Sequence, residues 1–382
     1  MSKTLSTDNR MVWLDFIRLV AMVMVIGVHC IDPFYISPTL GVIPEYKHWA
    51  AIYGSFLRPS VPLFVMMTGL LLLPVRRQPL GTFYKKRIYR VLFPFLFWSI
   101  LYNMFPWFTG VLGLPKEIIG DFFCYVQGNE SQSLIDSLKD VAMIPFNFSF
   151  KENHMWYIYL LIGLYLYMPF FSGWVEQADR KMKRTFLIIW FVSLFLPYAG
   201  QYISHYLYGT ATWNQFGTFY YFAGFNGYLL LGHYLKNGTG WSLGKTLAIC
   251  GILFVAGYAI TYLGFSAAAA NPSATEADME LYFTFCSPNV AIMTAAVFLL
   301  LQRVQIENPA IIRFLSSVTK YGFGIYIVHY FMVGPVFLLI ENFSLPIPLQ
   351  VPVMAILIFA ISYLFTWGMY KLLGKYAHWI MG

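Results

Sequence analysis

The chain has 382 residues, 59% of them hydrophobic and 11% charged, with a formal net charge of +8. Ordinary soluble domains carry roughly 25% charged residues, and several apolar runs here reach the roughly 20 residues that cross a hydrocarbon core. These figures exclude a soluble globular domain and predict an all-α polytopic membrane protein; a transmembrane β-barrel would show short alternating segments instead.

The first ten residues are polar. The apolar run after them is too long for a signal-peptide core and has no small-residue cleavage site behind it, so a retained first helix is expected. Ten transmembrane helices are predicted, at about 11–33, 50–74, 90–112, 154–174, 183–203, 216–235, 245–265, 283–303, 321–341 and 349–371. Lysine and arginine alternate strongly between the two sets of connections. Nineteen lie on one side and four on the other (Lys47, Lys116, Lys139 and Lys151), while Arg18 and Arg58 fall inside spans. The positive-inside rule then places both termini in the cytoplasm. The same pattern explains the +8 as a topology signal, so nucleic acid is not an expected partner.

The largest outer loop, 113–153, contains an amphipathic stretch at 133–144, expected on the membrane surface or over a cavity. No repeat or linker divides the chain, so 1–382 reads as one domain with no added soluble domain. Cys30, Cys124, Cys250 and Cys286 form no CxxC pair and no ligand spacing, so neither a disulfide framework nor a metal site is expected. Most of the Tyr, Phe and Trp residues, 20% of the chain, are expected at lipid or at the interfaces.

The most informative segment is 11–31. Arg18 and His29 stand eleven residues apart in it, which is about 20° past three full helical turns and about 16 Å along the axis. Both side chains therefore share one stripe. An intramembrane arginine is costly and marks a functional path by default; a histidine on its stripe suits general-base work near neutral pH. Two plainer readings stand beside these: an interfacial hydrogen bond for His29, and an ion pair with Asp15, three residues earlier, for Arg18. Cys30 adjoins His29 but points about 100° away, which disfavours a Cys–His nucleophilic pair.

Four further groups follow in chain order. Arg58 is an intramembrane charge, and the stretch 60–69 after it supplies prolines and small residues that let backbones approach or kink. Lys85 and Lys86 read as topology signals. Arg87 and Arg90 share a face and stand where two guanidinium groups can bind phosphate oxygens. His154 and Trp156 are expected at the level of His29, with Trp156 also fitting an interfacial anchor. Tyr326 and His329 are i, i+3 neighbours in the run 315–329, where a buried histidine bonded to a carbonyl is the plainer reading.

Taken together, these blocks resemble the acyltransferase 3 family of integral membrane acyltransferases, and more particularly its stand-alone O-acetyltransferases of surface polysaccharides. Arg18 and His29 match the family's Arg/Lys, ten residues, His motif; Arg87 and Arg90 match its Arg-x-x-Arg motif. The segments 60–69, 154–161 and 321–329 resemble its later blocks. The resemblance implies that an acyl group, usually acetyl, passes from cytoplasmic acyl-CoA to a hydroxyl at or beyond the outer face. His29 corresponds to the catalytic histidine, and Arg18, Arg87 and Arg90 to essential arginines.

On this reading Arg87 and Arg90 hold CoA phosphates and Arg18 lines the channel. His29 deprotonates the acceptor hydroxyl. His154, Trp156, Tyr326 and His329 form the expected substrate-binding set, with His154 or Tyr326 orienting the acceptor or stabilising the oxyanion. The donor is acetyl-CoA or another short acyl-CoA, with no permanently bound cofactor. The acceptor is a saccharide or lipid-linked saccharide, and the location a bacterial plasma membrane, with membrane lipid as surroundings. Direct transfer is preferred because no well-placed nucleophile is visible; an acyl-histidine stays open. The non-enzyme alternative is a secondary transporter of a small anionic metabolite, although no paired repeats of the transporter kind are seen.

Overall fold

A computed structural model describes residues 11–36, 43–114, 132–203, 216–271 and 273–382. Lys3, Arg10, Lys116, Cys124 and the middle of the 113–153 loop lie outside the described residues. Every regular element among those described is an α-helix or a 3₁₀ turn. Among the described residues, nine helical stretches are long and apolar enough to cross a membrane. In order they are Val12–Phe34, Pro44–Leu72, Leu80–Val111, Phe150–Gln177, Arg180–Tyr202, Leu243–Ala270, Asp278–Leu301, Pro309–Asn342 and Ile347–Tyr376. The expected polytopic all-α architecture is therefore present.

The count differs from ten at one place. Segment 216–235 holds a 3₁₀ turn, Gly217–Phe219, and then a nine-residue helix, Asn226–Tyr234. Gly217 and Gly224 take positive φ, a conformation that interrupts a right-handed helix. Hydropathy alone reads this apolar stretch as a full crossing. Its helix instead packs backbone to backbone on Ser60–Leu72. A Cβ added at Gly69 would meet the Leu229 carbonyl oxygen at 2.0 Å, and one at Gly232 would meet that of Met66 at 2.0 Å. Small residues let helices approach this closely where lipid provides no hydrophobic drive, as the composition of 60–69 predicts.

The first span is the axis of the molecule. One apolar cluster joins it to the third, fourth, eighth and ninth spans through residues such as Met22, Val25, Trp98, Ile158, Ile325 and Ile358. A second joins it to the second, fourth and fifth spans and to Asn226–Tyr234 through Ile17, Met66, Leu164, Trp190 and Leu229. The sixth span lies at the periphery, with Ile252, Val255 and Leu263 exposed; such a face is what lipid solvates.

The third span is a 32-residue helix, about 48 Å long at 1.5 Å per residue. That exceeds a hydrocarbon core of about 30 Å, so its Lys85–Arg90 end extends past the apolar layer. The amphipathic stretch forms the helix Leu134–Met143, with the Ser133 side chain accepting from the Asp136 amide. It is tied down by the buried Lys151 ammonium, which lies 2.7 Å from Asp140 and 3.1 Å from Gln132. Tyr159 adds a hydrogen bond to the Ile144 carbonyl at 2.6 Å. This anchoring fixes the short turn that follows, where His154 sits.

Candidate active site

Three helix irregularities bring three histidines together. The first helix ends at Cys30, and the chain turns at Ile31 into a short helix, Asp32–Ile36. His154 lies in the 3₁₀ turn Phe150–Met155, before the helix Trp156–Gln177. The eighth span changes from α to 3₁₀ at His329. Ring centroids are 5.4 Å apart for His29 and His329, 5.2 Å for His154 and His329, and 6.3 Å for His29 and His154. His29 is 8% exposed, His154 1% and His329 not at all. Tyr330 completes the cluster, stacked on His154 at 4.5 Å and edge-on to His29 at 5.1 Å.

His29 carries a specific partner. Its Nδ1 lies 2.9 Å from Asp32 Oδ2. A carboxylate only accepts, so Nδ1 donates and the neutral ring keeps its lone pair on Nε2. A base held in one tautomer by a carboxylate is suited to general-base work. Asp32 escaped the sequence reading. The signal was available in the i, i+3 spacing, but a helix that stops between the two residues made the pairing hard to foresee. Tyr330 and Tyr102 were also missed, hidden among many aromatic residues.

The two other histidines are anchored to backbone. His154 Nε2 is 3.2 Å from the Ile327 carbonyl, and His329 Nδ1 donates to the Tyr326 carbonyl. Tyr326 donates its hydroxyl to the His154 carbonyl, while Tyr102 donates to the Ile327 carbonyl at 2.9 Å. The His154–Ile327 and Tyr326–His154 bonds tie the fourth span to the eighth, and the Tyr102–Ile327 bond ties the third to the eighth. They also engage the Tyr326 proton, so in this arrangement Tyr326 is no free donor to an oxyanion. Among the described residues, no three His, Cys, Asp or Glu side chains are placed to hold a metal ion.

A cavity of about 210 Å³ runs along the shared stripe. Arg18, Met22 and Val25 of the first span line it, with Thr68, Tyr157, Tyr165, Phe323 and Tyr326 opposite. Arg18 is therefore joined to Tyr326, whose ring is 5.6 Å from His154 and 5.7 Å from His329. The Arg18–Asp15 ion pair also exists, at 2.7 Å, and Asp15 accepts in addition from Thr319 at 2.7 Å. Both readings of Arg18 thus hold: it is braced by Asp15 and it faces the cavity.

Arg87 is half-buried and Arg90 exposed, and neither is among the residues that line the 210 Å³ cavity. Arg90 also borders a second cleft of about 430 Å³, with Lys320, Tyr89, Tyr370 and Trp379. Trp156 is set apart from the histidines by its ring contacts: it stacks on Phe285 at 5.5 Å. Arg58 is structural, with Nε donating to the Gly54 carbonyl at 3.0 Å, Nη1 to that of Phe283 at 3.2 Å, and its guanidinium over the Phe283 ring. Cys30 is fully buried in apolar surroundings.

The fold is thus a polytopic helical bundle with a buried histidine–carboxylate pair in a histidine cluster, and beside that cluster a cavity lined by Arg18 and Tyr326. The chain belongs to the acyltransferase 3 family: the family's acyltransferase domain matches residues 11–367. It is thus a multi-pass membrane acyltransferase. No curated protein and no solved structure matches it.

Proposed function

We propose that the protein moves an acetyl or other short acyl group from cytoplasmic acyl-CoA to a hydroxyl of an extracytoplasmic or lipid-linked saccharide, in a bacterial plasma membrane. The observation that carries this reading is the cavity lined by Arg18 and by Tyr326, which touches the histidine cluster. CoA has phosphates at one end and its thioester at the end of a long arm. Arg87 and Arg90 bind the phosphates, and Arg18 guides the arm along the stripe. With the Arg18 end of the first span on the cytoplasmic side, the arginine end opens to acyl-CoA and His29 stands toward the outer face.

The chemistry is a direct transfer. His29 Nε2 takes the proton of the acceptor hydroxyl as its oxygen attacks the thioester carbonyl. The new C–O bond forms, the C–S bond breaks, and the leaving CoA thiolate takes the proton back from His29. Asp32 stabilises the imidazolium formed in between. The test is acceptor-dependent release of CoA thiol by the protein in nanodiscs, with acetyl-CoA and a mixture of surface glycans. Release that needs both acceptor and His29 supports the proposal. A protein that moves an anion across the bilayer and releases no thiol overturns it.

A further inference from the structure

A basic cleft that the transfer reading does not use lies at the end of the molecule where the first span begins. Its volume is about 380 Å³. Lys236 and Arg303 line it, together with the polar Asn237, Thr239 and Gln302 and with Trp13 of the first span. Among the described residues, no acidic side chain lines it. The sequence builds the cleft locally. The helix Asn226–Tyr234 ends, and the chain turns through Lys-Asn-Gly-Thr-Gly with Gly238 and Gly240 at φ +71° and +72°, a conformation other residues rarely take. Gln302, just past the seventh span, pins this turn by donating to the Leu235 and Lys236 carbonyls at 3.2 and 2.8 Å.

The two cations keep donors to spare. Arg303 donates through Nη2 to the Trp241 carbonyl and to Thr246 Oγ1; among the described residues its Nη1 and Nε make no hydrogen bond. The Lys236 ammonium likewise makes no hydrogen bond or ion pair among them. A phosphate supplies the acceptors that such a pair lacks. The flank of the cleft says what carries the phosphate. Thr246 belongs to the sixth span, and Leu243 and Leu247 beside it are 59% and 54% exposed. These two share a helical face, and exposed apolar surface continues along the span to Ile252. A soluble anion has no use for that flank, and a zwitterionic headgroup would set its own cation against Lys236 and Arg303. We infer that the cleft binds the headgroup phosphate of one anionic phospholipid, whose chains lie on Leu243 and Leu247. Basic pockets between transmembrane helices hold anionic headgroups in this way. The bound lipid joins the Lys236–Gly240 turn, the end of the seventh span and the start of the first. This inference stands apart from the transfer reading, since neither Arg18 nor His29 lines the cleft.

The test counts lipids. Protein in nanodiscs of equal parts phosphatidylcholine and phosphatidylglycerol is released into mild detergent, and retained lipid is counted by native mass spectrometry. The expected result is one phosphatidylglycerol held in preference to phosphatidylcholine. Lys236→Glu should weaken that retention about tenfold or more, the loss of one charge-assisted hydrogen bond. Lys375→Glu, at an exposed lysine outside the cleft, should leave it unchanged. Equal retention of the two lipids, or equal losses in the two variants, overturns the inference, because the attraction is then that of the basic face as a whole. Lys236 is exposed, so its replacement does not put folding at issue.

A second arm separates a lipid from a soluble phosphate. The thermal unfolding midpoint is measured in phosphatidylcholine nanodiscs alone, with phosphatidylglycerol added to the bilayer, and with glycerol 3-phosphate added to the buffer. A ligand that binds only the folded protein raises the midpoint. Phosphatidylglycerol should do so for the unsubstituted protein and not for Lys236→Glu, and glycerol 3-phosphate should not. Protection by glycerol 3-phosphate without any by phosphatidylglycerol identifies a soluble anion and overturns the lipid assignment.

Discussion

The histidine cluster and the arginine-bearing region of the molecule are built on opposite principles. At the histidine end the three histidines are buried and each is held by a carbonyl or a carboxylate, and three elements leave regular α-helix to put them there. At the arginine end the charges are accessible, on a long helix that extends past the apolar layer, and only Arg18 is shown braced by a carboxylate. Rigid placement suits bond making, where small displacements cost rate. Accessible guanidinium groups suit capture of a large, highly charged donor from solution. The difference predicts that damage at the histidine end lowers turnover and damage at the arginine end weakens donor binding.

The sharpest way to break this contrast is His29→Ala. It should lower transfer by about 10²–10⁴-fold, the range for losing a general base, with insertion and donor affinity unchanged. Asp32→Asn should lower kcat by about 10–100-fold, since a charge-assisted hydrogen bond is worth about 1.5–3 kcal/mol; an unaltered kcat would remove Asp32 from the mechanism. Arg87→Ala and Arg90→Ala should each raise KM for acetyl-CoA by about tenfold at nearly constant kcat, and a kcat effect without a KM effect would invert the comparison. Gly69→Ala should leave the chemistry alone and lower the thermal unfolding midpoint, through overpacking of about 1–3 kcal/mol against the Leu229 carbonyl. An unchanged midpoint would mean that the two helices separate freely.

Much of this was legible in the sequence because the informative residues obey helical periodicity. Arg18, Met22, Val25 and His29 lie on one stripe by spacing alone, and the first three do line one cavity. His154, Tyr326 and His329 stood out as polar groups in apolar runs, and they converge on His29. What stayed hidden depends on breaks in that periodicity. The Asp32 contact needs the turn at Ile31, and the half-length helix at Asn226–Tyr234 needs the positive φ angles of Gly217 and Gly224. The relative facing of His154 and Trp156 is likewise not legible on an α-helical wheel, because the chain passes from 3₁₀ to α between them.

The most direct test of the division between the two ends measures acetyl-CoA binding and single-turnover acetyl transfer on the same nanodisc samples. The unsubstituted protein is compared with His29→Ala and with the Arg87→Ala/Arg90→Ala double variant. The account predicts that His29→Ala binds acetyl-CoA normally and does not transfer, while the arginine variant binds weakly and transfers once saturated. Transfer by His29→Ala at the normal rate, or donor binding lost in His29→Ala and kept in the arginine variant, would contradict it.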